Sequence, residues 1–89
     1  MWDWDEPKRQ ANLAKHGVDF AVVAGFDWQT AEIWVDERFN YGEERKAALG
    51  MIGERLYFIA YTDRSATRRL ISLRKANERE RQRWNTPAK

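Results

Sequence analysis

The stretch RRLISLRKANERERQRW, residues 68–84, changes character half-way along, and the fold is read outward from that change. Its first half alternates: Arg69, Ile71 and Leu73 fall on one side of an extended chain, and Leu70, Ser72 and Arg74 on the other. Its second half, from Asn77, is a charged helical run that closes on Trp84. Asn77 with Glu80 three residues later forms a capping-box pattern. Arg74 and Lys75 sit at the changeover. A strand that delivers two cations to the start of a helix suits an anion, because the first-turn N–H groups are also free there.

Upstream, three further segments read as strands. Residues 55–62 (RLYFIAYT) are the most apolar and so belong at the centre of a sheet. Residues 45–52 (RKAALGMI) precede them across a Gly53-Glu54 turn, and residues 63–66 turn the chain into the strand at 67–74. Residues 30–36 (TAEIWVD) place Ile33 and Val35 on one face. Short turns make these strands an antiparallel meander. Residues 37–44 read as loop, because Asn40, Gly42 and their charged neighbours support no packed element. The helix propensity of residues 43–49 (EERKAAL) leaves helix open there.

The N-terminal part is helical after a short strand. Residues 2–5 (WDWD) suffice only for an edge strand. Asp5 caps a helix that tolerates Pro7 in its first turn and stops at Lys15-His16-Gly17, with Gly17 as left-handed cap. Pro7, Ala11 and Ala14 share a face that Leu13 flanks. Asp19 caps a second, mostly buried helix at residues 20–26, where adjacent valines leave strand open. Residues 86–89 should fray. The expected fold is therefore α+β: one domain over residues 1–89, with an antiparallel sheet of about four to five strands, two N-terminal helices and one C-terminal helix.

Eighty-nine residues leave no room for a second domain, and a chain this short has a thin core that five tryptophans help to fill. No cysteine is present, which excludes a disulfide framework and suits a reducing cytoplasm. No apolar run is long enough to span a membrane, and the acidic start does not read as a signal peptide. The charge is lopsided. Residues 1–44 hold four Lys/Arg against ten Asp/Glu, and residues 45–89 hold twelve against four, so −6 is followed by +8. Such asymmetry fits either a polyanionic partner or mutual neutralisation of the two halves.

The opening WDWDEPKRQANLAKHGVDF resembles that of the BrnT family of bacterial toxins, whose pattern is matched by Trp4, Asp5, Lys8, Asn12, Lys15, His16, Gly17, Val18 and Phe20. Arg45 with Gly50, Tyr61-Thr62, and the run from Arg69 to Ala76 with Glu80 resemble its later blocks, in the same order. Trp84 stands where the family more often has tyrosine. The resemblance implies a RelE-like fold and an endoribonuclease toxin of a type II toxin–antitoxin pair that stops translation. It also implies a ribbon-helix-helix antitoxin (BrnA-like), through which alone the toxin would meet DNA.

Cleaving RNA without a metal requires a base for the 2′-hydroxyl proton, cations for the charge growing on the phosphoryl oxygens, and an acid for the departing 5′-oxygen. His16, the one histidine, titrates near neutrality and can serve as base or acid. Arg74 and Arg45 complete the candidate catalytic set. Lys15, Lys75, Arg69 and Tyr61 are candidate substrate-binding residues, Tyr61 by stacking on a base. A capping role for Lys15 and His16, a salt bridge from Arg74 and Lys75 to Glu78 or to the acidic N-terminal half, and a core role for Tyr61 are the plainer readings. No cofactor is implied, and no His/Asp/Glu cluster has metal-ligand spacing. A non-catalytic nucleic-acid- or antitoxin-binding module, acting in operon autoregulation, is the alternative function.

Overall fold

The computed structural model describes residues 2–37 and 43–85, so most of the expected loop at 37–44 and the expected fraying of residues 86–89 lie outside the described residues. The elements run β1 (Trp2–Trp4), α1 (Glu6–His16), a 3-10 segment (Phe20–Gly25), β2 (Glu32–Asp36), β3 (Arg45–Ile52), β4 (Arg55–Arg64), β5 (Thr67–Lys75) and α2 (Glu78–Asn85). One five-stranded sheet has the order β1-β5-β4-β3-β2, with β4 central. The chain is α+β.

Strands β2 to β5 form the antiparallel meander. The sheet as a whole is mixed, however, because β1 lies parallel to β5. No hairpin links those two strands, so nothing local dictates their direction. The second N-terminal helix is also corrected, to a six-residue 3-10 segment capped by Asp19, whose carboxylate accepts from the Ala21 N–H at 3.0 Å. In that tighter spiral Phe20 and Val23, three residues apart, point together into the core. The helical alternative at residues 43–49 gives way to strand from Arg45 on, because pairing on both sides outweighs local propensity.

The sheet has two apolar faces. On one face Phe20 and Val23 of the 3-10 segment pack with Phe26, Ala48, Ile59, Tyr61, Leu70 and Leu73. On the other face Ala47, Leu49, Leu56, Phe58 and Ala60 lie with Trp34 and, from α2, Trp84. The first face is tight at Gly50. A Cβ there would fall 2.8 Å from Phe26 Cε1 and closer still to Cζ, so the ring requires a residue without a side chain. On β2, Trp34 faces inward, and Ile33 and Val35 share the outward face at 46% and 43% exposure.

Helix α1 is capped as its sequence demands, by Asp5 at the start and by Gly17 (φ 71°) at the end. The apolar side chains of α1 do not face the sheet. Pro7, Ala11, Leu13 and Ala14 are exposed, and the buried side chain is Asn12. Asn12 Nδ2 donates to the carbonyls of Leu73 (2.6 Å) and Val18 (3.0 Å), and its Oδ1 accepts the Leu73 N–H (3.2 Å). Strand β1 covers β5 only from Arg68 to Leu70. The Asn12 amide continues that edge pairing at Leu73, as one more residue of strand would. Buried N–H and C=O groups need such partners, which explains why an amide and not an apolar side chain is turned inward.

The strict alternation read for residues 69–74 also fails. Tyr61 pairs with Leu70 but Ala60 with Ser72, so β5 carries one extra residue, a β-bulge at Ile71. Leu70 and Leu73 therefore share the first face, although they are three residues apart.

Candidate functional site

The bulge decides which cations meet. Without it Arg69 and Arg74 would point to opposite sides of the sheet. With it Arg69 pairs opposite Thr62 and Arg74 opposite Phe58, positions that share one face of the unbulged β4. Arg45 follows the same parity as Ala47 and Leu49 and joins them. Three arginines distant in the chain thus lie on the second face.

Helix α1 adds to that face from the sheet edge. Its C-terminal half and β5 bound a depression of about 200 Å3 lined by Lys8, Ala11, Asn12, Lys15, His16, Ile71 and Ser72. A second depression, about 390 Å3, is lined by Arg45, Thr62, Arg64, Arg69 and Glu43. Lys8 and Ile71 line both depressions. Lys15 and His16 thus border β5 at Ile71 and Ser72, between Arg69 and Arg74 of the arginine face.

Tyr61 and Lys75 are not. Tyr61 is 2% exposed in the first-face core, edge-on to Trp2 and Trp28, and burial pushes its phenol pKa up. It is a core residue. Lys75 pairs opposite Tyr57, one position beyond Arg74, so it turns away from Arg74. With Arg55 and Arg81 it lines a separate depression of about 320 Å3. Strand alternation separates both residues from the arginine face.

A family model described as "Ribonuclease toxin, BrnT, of type II toxin-antitoxin system" matches residues 4–80. The chain belongs to the BrnT family. No curated protein matches it. The family is one of ribonuclease toxins, which implies an RNA substrate and an antitoxin partner. Among the described residues no helix is long and apolar enough to cross a membrane.

In this BrnT chain the imidazole of His16 is half-buried, and its pKa lies below the ordinary 6.5. Burial is the main cause, and the charges of Lys15 and Arg74 add to it. At neutral pH the ring is uncharged, which leaves one nitrogen free to accept a proton.

Arg74 is held in a definite pose. Its Nη1 and Nη2 each donate to one oxygen of Glu80 at 2.8 Å, and its guanidinium lies 4.4 Å over the Phe58 ring. Glu80 is fixed in turn by the Asn77 N–H (2.9 Å), and the Glu80 N–H donates to Asn77 Oδ1 (2.8 Å). The plainer alternative, a bridge from Arg74 to Glu78, gives way to one with Glu80, while Glu78 pairs with Arg81. Glu80 is the better partner because the capping box turns its carboxylate back toward the end of β5. Arg69 is joined to Asp3 at 2.6 Å, Arg64 to Glu43 at 2.7 Å, and Arg68 to Asp63 at 3.2 Å.

Two contributors were absent from the sequence reading: Asn12 as the strut of the His16 helix, and Lys8 as the residue common to both depressions. Their signal is a helical stripe. Residues 8, 12, 15 and 16 fall on one face, and every one of them is polar.

Proposed function

We propose that this chain is a metal-independent endoribonuclease toxin of RelE-like fold that cleaves cytoplasmic RNA, inhibits translation and is neutralised by a ribbon-helix-helix antitoxin. The observation that supports this reading is His16 next to Lys15 in a depression floored by Ile71 and Ser72 of β5, the strand that carries Arg69 and Arg74 on the same face as Arg45. Such a set contains a base and an electrophile without further help. His16 takes the 2′-hydroxyl proton, the 2′-oxygen attacks the adjacent phosphorus, and the bond to the 5′-oxygen breaks. The products are a 2′,3′-cyclic phosphate and a 5′-hydroxyl. Arg74, fixed by Glu80, stabilises the charge on the phosphoryl oxygens. Lys15 is the ammonium placed to return a proton to the 5′-oxygen, and Arg45 with Arg69 binds a flanking phosphate. Loss of the base should cost ~10²–10⁴-fold in rate.

Incubating the purified chain with RNA in EDTA tests this reading. New 5′-hydroxyl termini are expected, and His16→Gln should abolish them while leaving the fold intact. A second reading draws support from the carboxylates that already hold Arg69 and Arg74. Those arginines would then be structural, and the chain a binding module for nucleic acid or antitoxin. RNA retained without new termini would favour that reading.

A further inference from the structure

The cations on the candidate face are of two kinds. Arg64, Arg69 and Arg74 are each engaged by a carboxylate, and Arg45 has a partner of its own. The ammonium groups of Lys8 and Lys15 have neither an ion pair nor a hydrogen bond among the described residues. The acidic groups near Lys8 are committed elsewhere: Asp5 to the cap of α1, Glu43 to Arg64. Lys8 is also poorly placed for its own helix. It lies in the first turn of α1, where the backbone dipole disfavours a cation. Helix stability therefore does not account for it.

The spacing of the two lysines is regular. They are seven positions apart, so they lie on one face of α1 and about 10.5 Å apart along its axis. Between them the face carries only Ala11 and the inward-turned Asn12, which leaves the helix surface low and open. Lys15 lies beside His16, whereas Lys8 lines both depressions.

We infer that Lys8 and Lys15 form a phosphate track along the seam between α1 and β5, and that the track takes a single strand of RNA. Lys15 meets the phosphate at the reaction centre, and Lys8 holds a different phosphate of the same strand on its way toward Arg69 and Arg45. This rests on the ribonuclease reading for the direction of the strand. Single-strandedness follows from the chemistry. The attacking 2′-oxygen, the phosphorus and the 5′-oxygen must come into line, and an A-form duplex holds its backbone away from that arrangement.

The test is binding of a six-nucleotide 2′-O-methyl RNA, which lacks the attacking hydroxyl, followed by fluorescence anisotropy across a salt series. Each phosphate contact in a single strand contributes about 0.7 to the slope of log affinity against log salt. Lys8→Gln should lower the slope by about 0.7, and Lys8→Gln with Lys15→Gln by about 1.4. Between 50 and 200 mM salt, each substitution should shrink the loss of affinity by about 2.6-fold. Lys46→Gln is the control for net charge, since Lys46 is tied to Asp63 at 3.0 Å and pairs opposite Tyr61, on the other face. An unchanged slope in Lys8→Gln, or an equal change in Lys46→Gln, overturns the track. A duplex of the same length that binds equally well overturns the single strand. Failure to cleave ordinary RNA, with these slopes as expected, would sink the ribonuclease reading and leave the track standing. Absence of binding by the unaltered chain overturns both.

Discussion

Asn12→Ala is the sharpest test of how the fold aims its candidate base. The wild-type amide satisfies three backbone groups: the Leu73 N–H, the Leu73 carbonyl and the Val18 carbonyl. Alanine satisfies none. A buried polar group left unpaired costs ~1–3 kcal/mol. Three such groups set an upper range of roughly 3–9 kcal/mol, but the space vacated by the amide admits water to some of them. A loss of ~2–4 kcal/mol is therefore expected, a large share of a small domain's stability. Urea unfolding followed by tryptophan fluorescence measures it. Asn12→Asp sharpens the test. Its carboxylate still accepts from the Leu73 N–H but faces two carbonyl oxygens, so its pKa is raised in the folded state. A raised pKa means that the variant regains stability as pH falls and loses it as pH rises through that value. If Asn12→Ala lies within ~0.5 kcal/mol of the wild type, the idea that an amide stands in for missing strand is wrong.

Three other outcomes follow from the same geometry. Gly50→Ala drives a methyl group into the Phe26 ring and should cost ~1–3 kcal/mol, read as a lowered melting temperature. Activity should rise with pH through a pKa below 6.5, because His16 acts unprotonated, and Lys15→Gln should move that limb to higher pH by removing a neighbouring charge. For stability the sign is the same: the unfolded chain protonates His16 first, so the contribution of the neutral ring is intact above pH 6.5 and lost as pH falls through the depressed folded value. Glu80→Gln removes the charged fork on Arg74 and should cost about 1 kcal/mol after allowance for solvent screening, measured by denaturant unfolding.

Much of this architecture can be read from residues alone, because it rests on local chemistry. Asp5, Gly17 and Asp19 punctuate the N-terminal part through caps, and the Gly53-Glu54 turn and the Asn77–Glu80 box do the same later in the chain. The misses are long-range. Nothing near Trp2 specifies that its strand runs alongside β5, sixty-odd residues away. Ala11, Ala14 and Leu13 give α1 an apolar side, but a helix that seals a sheet edge turns an amide inward instead. The site was half legible. Arg45, Arg69 and Arg74 do share one face, and Lys15 and His16 border β5 between Arg69 and Arg74. Tyr61 and Lys75 lie away from the arginine face, which the residues alone do not reveal because the face of a strand residue depends on register. One clue to the bulge was present: Leu70 and Leu73 are both large and apolar, yet no regular strand buries both on one face.

That extra residue makes the site a matter of counting. Substituting Ile71 would alter packing, but deleting it would restore plain pleating and rotate everything before it in β5 by half a turn. Arg69 would then be sent to the far side of the sheet, and Leu70 out of the core. Length variation in this strand should therefore be far more damaging than change of side chain. A deletion scan from residue 67 to residue 75, scored for toxicity beside a substitution scan, would expose the difference.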